Sequence, residues 1–207
     1  MQVEQVTKRV WTILDLGKGV NVGFVATGAG AVVYDTGASF VQGRELKKLV
    51  ESCTGEKVTF VVNSHYHDGH CGGNGAFDCT FLFHRKSFEL MNKELRSTPS
   101  GVEATQILFS KDGFLKIGDV FLELRQAAGH APGSLVLSIP GEKVAFVGDL
   151  LFVGRVPTSS HSNLKKWVEE MAWLESFPVD TWIPGHGAIG RRQDIAVQRQ
   201  YLEGLLS

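Results

Sequence analysis

The stretch Val58-Thr59-Phe60-Val61-Val62-Asn63-Ser64-His65-Tyr66-His67-Asp68-Gly69-His70 decides how the chain reads. Five residues rich in Val and Phe form a strand. A polar turn follows, and three histidines crowd the next six positions. Two histidines two residues apart in an extended loop can turn their side chains to one side and reach the same ion. The pattern recurs further along. His130 follows an apolar run within Gly129-His130-Ala131-Pro132-Gly133-Ser134, Asp149 sits in Val147-Gly148-Asp149-Leu150, and His186 in Pro184-Gly185-His186-Gly187. Each group leaves the C-terminal end of an expected strand, and the flanking glycines allow close backbone approach. Imidazoles with a carboxylate suit zinc, iron or manganese, in a site of one or two metals.

The rest of the sequence limits where such a site can sit. The chain has 207 residues, 43% hydrophobic and 21% charged, with a net charge of -1. That describes a globular protein of one domain spanning 1–207 with a substantial core. It gives no reason to expect a nucleic acid or an anionic membrane as partner. No apolar run approaches the roughly 20 residues that span a bilayer. Met1 to Arg9 is polar and mixed in charge, unlike a secretory signal. Cys53, Cys71 and Cys79 are odd in number without paired spacing, so a disulfide framework is not expected and a reducing, cytoplasmic location is.

Strands are expected at Val10–Leu14, Val20–Ala26, Ala31–Tyr34, Val58–Val62 and Phe81–Phe83, then at Val120–Arg125, Leu135–Ile139, Lys143–Val147 and Thr181–Ile183. Ser39-Phe40-Val41-Gln42 reads as a capping box opening a helix with Leu46, Leu49, Val50 and Cys53 at helical spacing. Ser162 or Asn163 caps a second helix carrying Leu164, Trp167, Val168, Met171 and Leu174 on one face. A third runs from Arg191 to Leu206 with Ile195, Leu202 and Leu206 inward, and a weaker one covers Lys86–Leu95. Ser97–Gly113 reads as a mobile insertion. Helices alternating with blocks of strands are satisfied by two mixed sheets packed face to face with helices on both outer faces, a four-layer αββα sandwich of the α/β (α+β) class.

These motifs together resemble the metallo-β-lactamase superfamily over nearly the whole chain. Its first motif reads His-x-His-x-Asp-His, matched by His65, His67 and His70, with Gly69 at the aspartate position. Gly129-His130 matches the second motif, Asp149 the metal-bridging aspartate and Pro184-Gly185-His186-Gly187 the last histidine. Val32-Val33-Tyr34-Asp35-Thr36-Gly37 matches the early hydrophobic-Asp-Thr-Gly turn. The resemblance implies a first metal held by His65, His67 and His130, a second held by His70 and His186, and Asp149 between them. Glycine offers no ligand atom, and three outcomes follow. The second site persists on His70, His186, Asp149 and waters; or Asp68 substitutes; or a single metal binds at the first site. The missing charge weakens the hold on a second dication.

Asp35 is read either as a turn aspartate or as a group behind the ligands that orients the histidine loop, as Asp68 also can. Cys71 reads as a small buried residue. His84 is expected to be structural or exposed, and His161 to border the pocket. Trp167 and Met171 are assigned to core, and Phe24, Trp11 and Phe40 to strand packing. The segment from Gly148 to Pro157 followed by Trp167, with Gly73-Asn74 before Ala76-Phe77, is also similar to a branch of the superfamily associated with sulfur oxidation and quinoprotein systems.

The resemblance implies a zinc-dependent hydrolase, with one or two ions, cleaving an ester, thioester or lactam-type bond of a small molecule through a metal-activated water. Asp149 would orient the nucleophile or manage its proton. Two alternatives remain at this stage: a mononuclear iron enzyme like the family's sulfur dioxygenases, and a metal-binding member with reduced or lost catalysis. From the sequence, membership in the nucleic-acid-processing branch with its large inserted domain, in glyoxalase II with its C-terminal helical domain, or among secreted β-lactamases with an export signal is not expected. Oligomeric state is left open.

Overall fold

The computed structural model describes residues 2–94, 105–160 and 162–206. Among these residues, seven strands form one sheet in the order β1 (Gln2–Gln5), β2 (Val10–Leu14), β3 (Val22–Val25), β4 (Ala31–Tyr34), β5 (Val58–Val62), β6 (Thr80–His84) and β7 (Gln106–Phe109). The first four are antiparallel neighbours, and β4 to β7 run parallel. Five more strands form the second sheet: β8 (Gly113–Ile117), β9 (Val120–Ala127), β10 (Ser134–Ile139), β11 (Val144–Val153) and β12 (Thr181–Gly187), in the order β12-β11-β10-β9-β8. Only its β11–β12 pair is parallel. Parallel neighbours need long crossovers. Helices supply them: α1 (Phe40–Thr54) between β4 and β5, α3 (Arg85–Glu94) between β6 and β7, and α4 (Leu164–Ser176) between β11 and β12. The single turn α2 (Asp68–Cys71) follows β5, and α5 (Arg192–Gly204) follows β12.

The period-two alternation of strand side chains sorts the core into three layers. Val32, Tyr34, Val62 and Leu82 of the first sheet meet Leu122, Leu135, Leu137 and Phe146 of the second. Their sequence neighbours Val33, Val61, Phe81 and Phe83 face the other way, onto Leu46 and Val50 of α1 and Met91 of α3. Val136, Ala145, Val147 and Trp182 pack on Trp167, Met171 and Leu174 of α4 and Ile195 and Leu202 of α5. This is the expected αββα sandwich.

Several local expectations are corrected. Residues 106–109 are not a mobile insertion: they pair with β6 as the parallel edge strand β7, while 95–104 lie outside the described residues. β1 and β8 also went unpredicted, because β1 is polar and mostly exposed and β8 alternates exposed with partly buried residues. β11 and β12 continue past Val147 and Ile183, so Asp149 and His186 lie inside paired segments whose register shifts at Gly148. The Ser39 hydroxyl accepts from the Gln42 N–H, but Gln42 Oε1 accepts from Ala38 rather than Ser39. Leu206 is exposed rather than inward, Cys53 is exposed, and Phe40 stands 54% exposed at the start of α1.

Candidate metal centre

The C-terminal ends of β5, β11 and β12 and the loop between β9 and β10 lie along one edge of the paired sheets. There the nitrogens of His65, His67 and His130 and a carboxylate oxygen of Asp149 lie within 4.8 Å of one another. A second group, His70, Asp149 and His186, meets the same limit and shares Asp149. The two groups divide the six side chains as the resemblance divides them. Asp149 Oδ2 stands 3.3 Å from His130 Nε2, 3.4 Å from His186 Nε2 and 3.9 Å from His65 Nε2. Its Oδ1 faces His70 Nε2 at 3.2 Å, is fully buried and forms no well-aligned hydrogen bond. Gly185 is required beside it, since a Cβ there would collide with that oxygen.

The outward-facing nitrogens are anchored, and the anchors set the tautomers. His130 Nδ1 lies 3.1 Å from the Thr158 carbonyl and His186 Nδ1 lies 2.8 Å from the Gly19 carbonyl. Carbonyls only accept, so both Nδ1 atoms carry the proton and both Nε2 lone pairs face inward. Ser64 Oγ donates to Asp35 Oδ2 at 2.7 Å and therefore accepts from His65 Nδ1 at 2.8 Å. His70 Nδ1 donates to Asp35 Oδ2 at 2.8 Å. His67 instead turns Nδ1 inward, 2.9 Å from His65 Nε2 and 3.2 Å from His130 Nε2. His65 Nε2 and His130 Nε2 thus offer lone pairs at a point beside His67 Nδ1, where a cation would take all three nitrogens once that atom carries no proton. Outer partners that fix ring orientation are the usual support of a metal-binding histidine. The first group offers three nitrogens and a carboxylate, the donor set of a four-coordinate zinc site, and the residues fit the metal.

The charges agree. Burial and the neighbouring His70 drive the His65 pKa well below the ordinary imidazole value, and burial lowers His130, so both present neutral nitrogens. Burial also opposes the charged form of His70. Asp149 and Asp35 flank its ring and outweigh that penalty, raising its pKa to about 10 in the metal-free chain. Burial opposes ionisation of Asp149 as well, yet His70, His186 and His65 hold its carboxyl well below the usual carboxylate range.

Asp35 is buried, with its backbone in the left-handed region at φ 63°. Besides His70 and the Ser64 hydroxyl, it accepts from the Ser64 N–H at 2.7 Å, so it ties the histidine loop to the end of β4. Asp68 does not share this role. It is exposed at the start of α2 and belongs to neither group, so the expectation of a substitute ligand or orienting group fails. A Cβ at Gly69 would lie 3.1 Å from Val20 Cγ2, and Val20 bridges to His186. Position 69 therefore faces the poorer group. Cys71 is buried, and its thiol lies 3.3 Å from the Tyr66 and His67 carbonyls; burial pushes its pKa far up. His84 is buried, Trp167 and Met171 are core, and Phe24 stacks on Trp11. His161 lies outside the described residues.

Sequence reasoning missed several supports. Ser64 links Asp35 to His65, and its position directly before the first histidine was the available signal. Asn21 Nδ2 donates to the carbonyls of Pro184 and Gly187, holding the His186 turn from 163 residues away in sequence. Thr36, Asn74 and Asn63 form a buried chain of hydrogen bonds that ends on the His70 carbonyl. Phe152 stacks on His186 with ring centroids 5.2 Å apart, and Trp167 meets His130 edge-on at 5.4 Å.

The sequence profile described as the metallo-beta-lactamase superfamily matches residues 16–186, and the chain belongs to that superfamily. In fold it is similar to a metallo-beta-lactamase from Pontibacter korlensis, with a TM-score of 0.84 at 24% identity over 98% of each chain. Among curated proteins it is 25% identical over 174 residues to a Caenorhabditis elegans beta-lactamase-like protein 2 homolog, covering 83% of this chain and 57% of the relative. It is also 25% identical over 195 residues to an atrochrysone carboxyl ACP thioesterase of Cryptosporiopsis sp. (strain 8999), covering 90% of this chain and 56% of that protein. The chain thus spans little more than half the length of the curated relatives it matches. Among the described residues, no helix is long and apolar enough to cross a membrane.

Proposed function

We propose that this chain is a zinc-dependent hydrolase of a small-molecule ester or thioester. The supporting observation is the convergence of five imidazoles and one ionised, buried carboxylate on a single edge, with the outer nitrogens of His65, His70, His130 and His186 anchored by hydrogen bonds. His65, His67, His130 and Asp149 would hold the first ion, which would take water at a fifth position; His70 and His186, with Asp149, would hold a second more weakly. When bound, zinc lowers the pKa of water from 15.7 toward about 7 and stabilises the developing oxyanion. Asp149, ionised at neutral pH, would orient the attacking water and carry its proton to the departing alkoxide or thiolate. The carbonyl carbon gains the hydroxide and loses the alkoxide or thiolate, which leaves as the alcohol or thiol on taking that proton. His67 and His186 are the more open of the five rings, and a substrate would approach past them. The name of the Cryptosporiopsis relative favours a thioester over a lactam.

The test is elemental analysis of the purified chain beside turnover of activated esters and acyl thioesters before and after chelation. The proposal expects at least one zinc per chain and activity that zinc restores. One iron per chain with oxygen uptake would replace it with the dioxygenase alternative. Zinc held tightly without turnover of either substrate class would leave a metal-binding member that has lost catalysis.

A further inference from the structure

A cleft of about 350 Å³ lies between the end of β11, the loop that follows it and α5. Its size falls in the range of small-molecule sites, and its lining is mostly apolar. Phe152, Val156, Pro157, Val197 and Tyr201 are among its lining residues. Val156 and Val197 are 72% and 69% exposed, which leaves contiguous apolar surface facing water.

Two observations join this cleft to the metal centre. Phe152, which lines it, stacks its ring on His186 with an interplanar angle of 10°, so the cleft and a candidate ligand meet at one aromatic residue. Arg155 also lines the cleft, and its guanidinium lies against Gly19, whose carbonyl anchors His186 Nδ1. Arg155 has no carboxylate partner among the described residues. Asp194, the acidic residue in the lining, accepts instead from the backbone N–H of Arg191 at 2.7 Å. The cleft therefore offers an apolar channel with an unpaired cation at the end nearer the reacting groups.

Resting on the hydrolase reading, we propose that the cleft binds the acyl arm of the substrate: an unbranched or aryl hydrocarbon segment whose bond to be cleaved lies on the His186 side of Phe152, with an anionic group of the same molecule on Arg155. Burying each methylene from water strengthens binding about fourfold. A substrate with a longer acyl chain is then preferred until the cleft is full, and short acyl groups are poor substrates.

The probes are butane-, hexane- and octanesulfonate, which carry an anion and an alkyl chain but cannot be hydrolysed. Titrated calorimetrically into the metal-loaded chain, they should bind more tightly with each methylene by about that factor. Val197→Asp and Val156→Asp, both at exposed positions, should abolish the dependence on chain length. Arg155→Met should weaken all three probes by a similar factor. Acyl thioesters of the same lengths should show the same trend in kcat/KM. Sulfonate affinities independent of length, or a trend surviving both aspartate variants, would overturn the proposal. So would length-independent turnover, which would place the cleft off the substrate path, or failure of the sulfonates to bind together with self-association that Val197→Asp abolishes, which would make it an interface between copies. If the sulfonates follow chain length but no ester or thioester is cleaved, the cleft stands and the hydrolase reading falls.

Discussion

Asp35 grips His70 from the side opposite Asp149: its Oδ2 lies 2.8 Å from His70 Nδ1, while Asp149 Oδ1 lies 3.2 Å from Nε2 of the same ring. The ring is held between two carboxylates, one fixing its tautomer and one sharing its candidate metal. Asp35→Asn tests the hold. An amide keeps one acceptor for the Ser64 N–H but sets an NH2 group against the Ser64 hydroxyl and the His70 N–H. Buried donors facing donors cost about 1–3 kcal/mol. Affinity for the second ion should fall about 10- to 100-fold, as loss of such outer partners does. A competitive chelator titration measures it, and an unchanged affinity would show that Asp35 serves only its turn.

Gly69→Asp should strengthen the poorer group. The new Cβ starts 3.1 Å from Val20 Cγ2, so Val20 must yield a few tenths of an ångström. A second equivalent of zinc should bind, and more completely when Val20→Ala is added. Unchanged metal content in both variants would remove the argument that the missing carboxylate limits the second group.

Gly185→Ala should be costly at a position with no ligand atom. Its methyl would occupy the place of Asp149 Oδ1, the atom that faces His70. Because Asp149 belongs to both groups, displacement should weaken binding at both, with loss of most bound metal after dialysis. Full retention would mean that the carboxylate does not take part.

The metal-free chain should show a stability maximum near pH 6.5, the ordinary imidazole value. His70 has its pKa raised to about 10, so its contribution is complete below 6.5 and is lost as pH rises through 10. His65 and His130 have lowered values. As pH falls below 6.5 the unfolded chain takes up protons that these buried rings refuse, and stability drops. Asp149, depressed, adds no slope above the ordinary carboxylate value. Urea midpoints measured from pH 5 to 10 in chelator check this; a midpoint rising steadily from pH 7 down to 5 would contradict it.

The layered fold was legible because Val32-Val33-Tyr34 and Phe81-Leu82-Phe83 are apolar on both faces, as strands buried between a helix and a second sheet must be. β1 and β7 escaped because these edge strands are largely exposed, leaving no clear period-two signal. The six convergent side chains were legible from spacing and glycine-rich context. Their anchors were less so: the Gly19 and Thr158 carbonyls are backbone atoms that any residue could supply, and only the folded path brings them to His186 and His130. Asp68 misled because adjacency to His67 in sequence says nothing of direction, and the turn of α2 carries it to solvent.

The central claim is that imidazoles from separate segments share one cation with Asp149. X-ray absorption at the zinc edge, on the chain loaded with one equivalent, reads that environment directly. The account predicts three imidazole nitrogens and a carboxylate oxygen at about 2.0–2.2 Å. Sulfur scattering near ~2.3 Å, which would bring in Cys71, or a shell with fewer than two imidazoles, would contradict it.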